Sequence, residues 1–215
     1  MMDSVFTFLT SNGVPRETIV ILLMFPVLAS FIVISRQVIG IKAFGIYTPL
    51  IITFAFLSTG FRYGAAIFIL ALTVATLVHY LLQRVRILYL PKMALILSLT
   101  VLAIFTLLFE GAYNDRTVLI GLSIYPLLII ITLVEKFINV QMEKGYKTAF
   151  ILSLETLLLS TVGYFIVTLQ PIRTFTFENP WIILVFLAII IFLGRWNGLR
   201  LSEYIRFRKV WMHNS

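Results

Sequence analysis

The chain has 215 residues, 60% of them hydrophobic and 12% charged, with 17 Lys and Arg against 9 Asp and Glu, two His and no Cys, for a net charge of +8. This composition excludes disulfides, thiolate metal centres and a Cys nucleophile, and His79 and His213 alone cannot form an HExxH pair or a His-based metal cluster. It fits one membrane domain, residues 1–215, without a Pro/Gly/Ser-rich linker or low-complexity run.

In chain order, residues 1–16 lack the basic start of a signal peptide and read as a short outer segment resting at the interface, with Asn12-Gly13 turning the chain into the first helix. Seven apolar stretches follow at about 17–35, 46–60, 64–83, 91–109, 117–134, 147–169 and 180–193. Most approach the roughly 20 residues needed to cross hydrocarbon, where the backbone must satisfy its own hydrogen bonds. The second is short. The pattern predicts an all-α integral membrane protein with seven transmembrane helices; ten-residue alternating strands of a barrel are missing. Glu135-Lys136 are expected in a cytosolic extension of the fifth helix that runs to Lys144 and stops at Gly145. Residues 195–215 mix Trp196, Tyr204, Phe207 and Trp211 with Arg200, Arg206, Arg208 and Lys209, as expected for a tail on the cytosolic membrane face that touches lipid or a partner. His79 is expected as an interfacial residue.

Basic residues fall on alternate sides of these spans. Thirteen belong to the loops after spans one, three, five and seven; only Arg16, Arg62, Arg116 and Arg173 lie on the other side. With every loop short, the positive-inside rule places the N-terminus outside and the C-terminus in the cytosol. The net charge is therefore a topology signal, and no nucleic-acid partner is expected.

The chain also echoes itself. Gly45, Tyr47 and Pro49 precede an aliphatic run, as do Gly121, Tyr125 and Pro126; the two prolines stand 77 residues apart. Phe68-Ile69-Leu70-Ala71-Leu72 matches Phe150-Ile151-Leu152-Ser153-Leu154, and Pro91 and Pro180 open the fourth and seventh spans. Residues 36–110 and 111–194 thus read as two copies of a three-helix unit, and an odd number of crossings makes them an inverted repeat. Pro-broken helices are expected at spans two and five, with residues 40–49 partly unwound or re-entrant and their free N–H groups favouring anions. Two ordinary proline kinks would account for the same residues.

Glu155 is the one acid well inside an apolar span, eight residues from Lys147, or about 12 Å of helix rise. An ionisable group there costs on the order of 3 kcal/mol unless protonated, paired or hydrated. Ser153, Thr156 and Ser160 make its helix partly polar, so it is expected to face other helices or water. Arg36, Lys42 and Arg195 are candidate partners, giving either a structural ion pair or a substrate or proton path. The candidate path comprises Glu155, Arg36, Lys42, Arg195, Tyr47, Pro49, Tyr125 and Pro126. No catalytic residue, metal ligand or cofactor is expected.

Gly13-Val14-Pro15, the run from Arg36 to Pro49, Leu88-Tyr89-Leu90-Pro91-Lys92-Met93-Ala94, Tyr125-Pro126, Leu154-Glu155-Thr156-Leu157 and Gly194-Arg195-Trp196-Asn197-Gly198-Leu199-Arg200 resemble the bacterial seven-transmembrane module usually fused to an inactive transglutaminase-like domain. The resemblance spans nearly the whole chain. More distantly, the Gly/Pro signatures resemble the small membrane component of capsule-type poly-γ-glutamate synthases. These resemblances imply a non-catalytic component of the bacterial inner membrane in a peptide or polyglutamate-type synthesis and export system. The implied partner is a cytosolic ATP-grasp or related amide ligase. These 215 residues carry no transglutaminase-like domain, so a separate extracytoplasmic chain of that kind is a further expected partner. A homo-oligomer is expected if a pore exists, since seven helices leave little room for one. A proton-coupled secondary transporter and a membrane anchor or scaffold without transport remain as alternatives.

Overall fold

The computed structural model describes residues 8, 10–13, 15–113, 124–179 and 181–195. They form α1 (Arg16–Ile34), a π-helical continuation (Ser35–Ile39), α2 (Tyr47–Thr59), α3 (Phe61–Leu82), α4 (Tyr89–Tyr113), α5 (Ile124–Lys144), α6 (Tyr146–Thr168), α7 (Gln170–Glu178) and α8 (Ile182–Gly194). No strand occurs among the described residues. Helices are what apolar runs of this length must form in lipid, because each residue's N–H then finds a carbonyl within its own segment.

Four helical stretches among the described residues are long and apolar enough to cross a membrane: Thr18–Ile39, Phe61–Leu82, Tyr89–Glu110 and Tyr146–Thr168. The pair α7 and α8, bent by 101°, makes a fifth if counted as one span. α5 has the length of a span, 21 residues, but Glu135, Lys136, Glu143 and Lys144 make its second half polar. It does run through Glu135-Lys136 to Lys144, and the helix stops at Gly145 with φ +83°, as expected. Residues 117–123 of the expected fifth span lie outside the described residues.

The chain divides into two compact units, residues 1–42 with 165–215, and residues 43–164. In the first, α1 packs against α8 and α7. Its inner face is Ile19, Met24, Val27, Leu28 and Ile32, spaced at helical intervals. Pro26 lies inside α1, and the fully buried Ser30 hydroxyl donates to the Pro26 carbonyl at 2.9 Å, with the Phe186 carbonyl of α8 at 3.3 Å. The expected seventh span, 180–193, is a 13-residue helix preceded by a separate short one. Gln170-Pro171 starts that helix, with Pro171 in its first turn where a missing N–H costs nothing.

In the second unit α3 packs on α4, α5 and α2, and α2 on α5. Phe56, Ile67, Phe68, Ala71, Ala75, Ile96, Leu133 and Ile138 form its core, each almost wholly buried. Small residues set the closest approach. A Cβ on Gly64 would stand 2.6 Å from Phe56 Cδ1 and 2.7 Å from Thr59 Oγ1, so α3 meets α2 where only glycine fits. His79 is buried at 3% exposure near the end of α3.

The break at 40–49 is shorter than expected and has another cause. α2 starts at Tyr47, which places Pro49 in its first turn, where the ring removes no helical hydrogen bond. Pro49 therefore does not break the helix. Residues 40–46 are the irregular part, with Gly40 at φ +95°, Gly45 at +78° and Ala43 at +42°. Three left-handed residues in so short a run, two of them glycine, stop helix propagation without proline. α2 itself has 13 residues, or about 20 Å of rise against roughly 30 Å of hydrocarbon.

Candidate functional site

The polar positions of α6 converge on the start of α2. Glu155 Oε2 accepts the Ala43 N–H at 2.9 Å, and Thr156 Oγ1 accepts the next one, Phe44 N–H, at 3.0 Å. Two successive N–H groups beside left-handed residues form an anion-accepting concavity. Here a carboxylate and a hydroxyl of the same chain occupy it.

One turn further along α6, Ser160 shares its hydroxyl proton between the Thr156 carbonyl at 2.8 Å and the Pro49 carbonyl at 3.0 Å. Thr53 Oγ1 approaches the same Pro49 carbonyl at 2.8 Å and the Ser160 carbonyl at 3.2 Å. Thr53, Thr156 and Ser160 are all fully buried. The 155, 156 and 160 positions follow helical spacing, so a single edge of α6 reaches the loop and the first turn of α2. On α5, Lys136 Nζ donates to Thr48 Oγ1 at 3.0 Å beside a cavity of about 90 Å³ lined by Thr48, Ile52, Thr132 and Leu133. That space exceeds the roughly 10–15 Å³ that one water requires.

Ala43 has a Cβ and a positive φ, a conformation costing on the order of 1–2 kcal/mol. A hydrogen bond to a charged acceptor contributes about 1.5–3 kcal/mol. The Glu155 contact is thus large enough to offset the strain it accompanies. The half-buried carboxylate consequently acts on backbone geometry at the head of α2.

Among the other expected path residues, Pro49 is buried and Tyr47 is 72% exposed, so these near neighbours point to different environments. Arg36 lies half-buried in the π-helical segment, Lys42 is exposed, and Arg195 is exposed at the C-cap of α8. The backbone at Tyr125 and Pro126 is helical, and their side chains lie outside the described residues, as do Arg200, Arg206, Arg208 and Lys209 altogether. Thr48, Thr53 and Lys136 were not among the expected path residues. The Pro49–Thr53 spacing of four carried a usable signal, since a threonine hydroxyl one turn on can reach that carbonyl.

Residues 9–211 match the family described as seven transmembrane helices usually fused to an inactive transglutaminase. The chain belongs to that family. The match covers both units and every helix described above, and it makes the protein a multi-pass membrane module of a kind associated with an inactive transglutaminase domain. Comparison with curated proteins and with solved structures finds no match.

Proposed function

We propose that this member of the seven-transmembrane, transglutaminase-associated family is a non-catalytic component of a peptide or polyglutamate-type synthesis and export system in a bacterial inner membrane. Its partner would be a cytosolic ATP-grasp or related amide ligase, with an extracytoplasmic transglutaminase-like domain as a second partner. The observation that carries the reading is the seam from Glu155 to Pro49, in which a carboxylate of α6 accepts an amide of the irregular segment before α2. A clamped break at the head of a short helix is a device for shaping a passage. Family membership supports the choice of system only through the resemblance in the glycine- and proline-bearing motifs.

On this reading the N-terminus is outside, residues 36–110 and 111–194 are inverted repeats, and Arg36, Lys42 and Arg195 form a basic cytosolic mouth for a polyanionic product. Tyr47, Pro49, Tyr125 and Pro126 line corresponding points of the two repeats. The tail bearing Arg200, Arg206, Arg208 and Lys209 docks the ligase or lipid, and the module assembles as a homo-oligomer.

The test is co-purification from native membranes through a C-terminal tag, comparing the wild type with a chain cut after Gly198. Recovery of an ATP-dependent amide ligase that is lost on truncation is the expected result. Failure to recover any ligase under conditions that preserve other membrane complexes overturns the reading. A proton-coupled transporter would then be recognised by uptake that follows a pH gradient and disappears in Glu155→Gln; an anchor would show neither.

A further inference from the structure

The second unit carries a groove of about 730 Å³ between α3, α5 and α6, within the roughly 300–1,000 Å³ of small-molecule sites. Its long walls are Phe68, Leu72 and Leu77 of α3 and Phe150, Leu154 and Leu157 of α6. The hydroxyls in this stretch do not make it polar. Thr73, Thr76 and Ser153 donate to the Ile69, Leu72 and Ala149 carbonyls of their own helices at 2.8–2.9 Å. Ile69, Leu77, Phe150 and Leu154 are each more than half exposed, so the flank lies open.

One end differs. Tyr80 from the last turn of α3, Gln83 just after it, Gln141 from the last turn of α5 and Tyr146 from the first turn of α6 meet there. Gln141 Oε1 is buried with no hydrogen-bond partner among the described residues. The chain just beyond this rim is basic: Arg84 and Arg86 follow Gln83, and Lys144 and Lys147 bracket Tyr146, against Glu143 as the acid nearest in sequence; all five are exposed. The lining runs from Phe68 on α3 to its C-cap Gln83 and from Tyr146 to Leu157 on α6, about 22 Å and 16 Å of helix at roughly 1.5 Å per residue. That is close to one leaflet of a hydrocarbon core about 30 Å thick.

We infer that this groove binds one anionic glycerophospholipid, its acyl chain along α3 and α6 and its phosphate at Arg84, Lys144 and Lys147. A tail one leaflet long fits the apolar length. A negative headgroup fits the basic rim, where each cation near an anionic surface contributes favourably. The site is independent of the proposed ligase partnership and requires only that this unit sit in a bilayer.

The probe is phosphatidylglycerol against phosphatidylcholine, offered to the detergent-purified full chain and counted by native mass spectrometry. The wild type is expected to retain one phosphatidylglycerol at least tenfold more readily than phosphatidylcholine. Leu72→Trp with Leu154→Trp should abolish retention of both lipids, while Arg84→Ala with Lys147→Ala should abolish only the preference. Equal retention of the two lipids by the wild type overturns the inference, as does unchanged retention in the tryptophan variant. Because that variant could misfold, the wild type is also labelled with phosphatidylglycerol bearing a photoreactive acyl chain. Cross-links concentrated on α3 and α6 support the site, and cross-links spread evenly over exposed α4 residues such as Leu102 and Phe105 overturn it. A dimer in solution that is dispersed by the tryptophan pair would assign the groove to a second copy instead and also overturn it.

Discussion

α3 and α6 are nearly equal in length, 22 and 23 residues, and each must satisfy its own backbone within the membrane, yet they hold their neighbours by different means. α3 does so with the absence of side chain: Gly64, Ala71 and Ala75 are buried on one face and let α2, α4 and α5 approach closely. α6 does so with polar groups, Glu155, Thr156 and Ser160, that reach out to the backbone around α2. The difference follows from what each helix faces. Regular helices have no free N–H groups along their sides, so dispersion between small residues is the available attraction. The segment 43–46 is irregular, Ala43 and Phe44 in it are buried, and an unpaired amide at either would cost more than a lost contact.

Breaking the small-residue side of this contrast should have the largest effect. Gly64→Leu forces a branched side chain into the space held by the fully buried Phe56, and overpacking of this kind costs about 1–3 kcal/mol or more. We expect a clear loss of melting temperature in detergent, with Gly64→Ala intermediate. A Gly64→Leu protein as stable as the wild type would mean that α2 and α3 are not locked at this contact.

The polar side is expected to respond next. Thr156→Val leaves the buried Phe44 N–H unpaired and should cost about 1–3 kcal/mol. Glu155→Leu removes the acceptor of the Ala43 N–H at comparable cost, whereas Glu155→Gln keeps an acceptor and should lose about half as much. Hydrogen exchange separates these from Gly64→Leu. Protection of the Ala43 and Phe44 amides should fall in the α6 variants while amides within α3 stay protected. Uniform loss of protection across the second unit would contradict a local clamp.

The helices were legible in the sequence because hydropathy alone demands them, and the stop at Gly145 because a glycine after a Lys-bearing last turn is a local signal. The polarity of α6 was legible too, from Ser153, Glu155, Thr156 and Ser160. Their partners were not. Glu155 and Ala43 are 112 residues apart, and the donor it serves is a backbone amide, which has no residue type to recognise. Cations are conspicuous in a sequence, and a backbone amide is not. Pro49 misled for a related reason: a proline reads as a break unless its distance from the helix start is known, and that start was set by Gly40 and Gly45. The bend of 101° between α7 and α8 likewise depends on where each short helix ends.

The smallest predicted effect probes the clamp from the other side. Ala43 sits at φ +42° with its N–H on Glu155, so the loop contains both a strain and the bond that holds it. Ala43→Gly removes the steric cost of the left-handed conformation but adds chain entropy in the unfolded state, which leaves a net gain of about 0.5–1 kcal/mol. Combined with Glu155→Leu, the same change should recover part of the lost stability, because the loop no longer needs a strong acceptor to hold its shape. A double-mutant cycle measures this directly. Strict additivity would show that carboxylate and strained residue act independently. A recovery larger in the double variant than in the wild-type background is expected if Glu155 is there to hold Ala43.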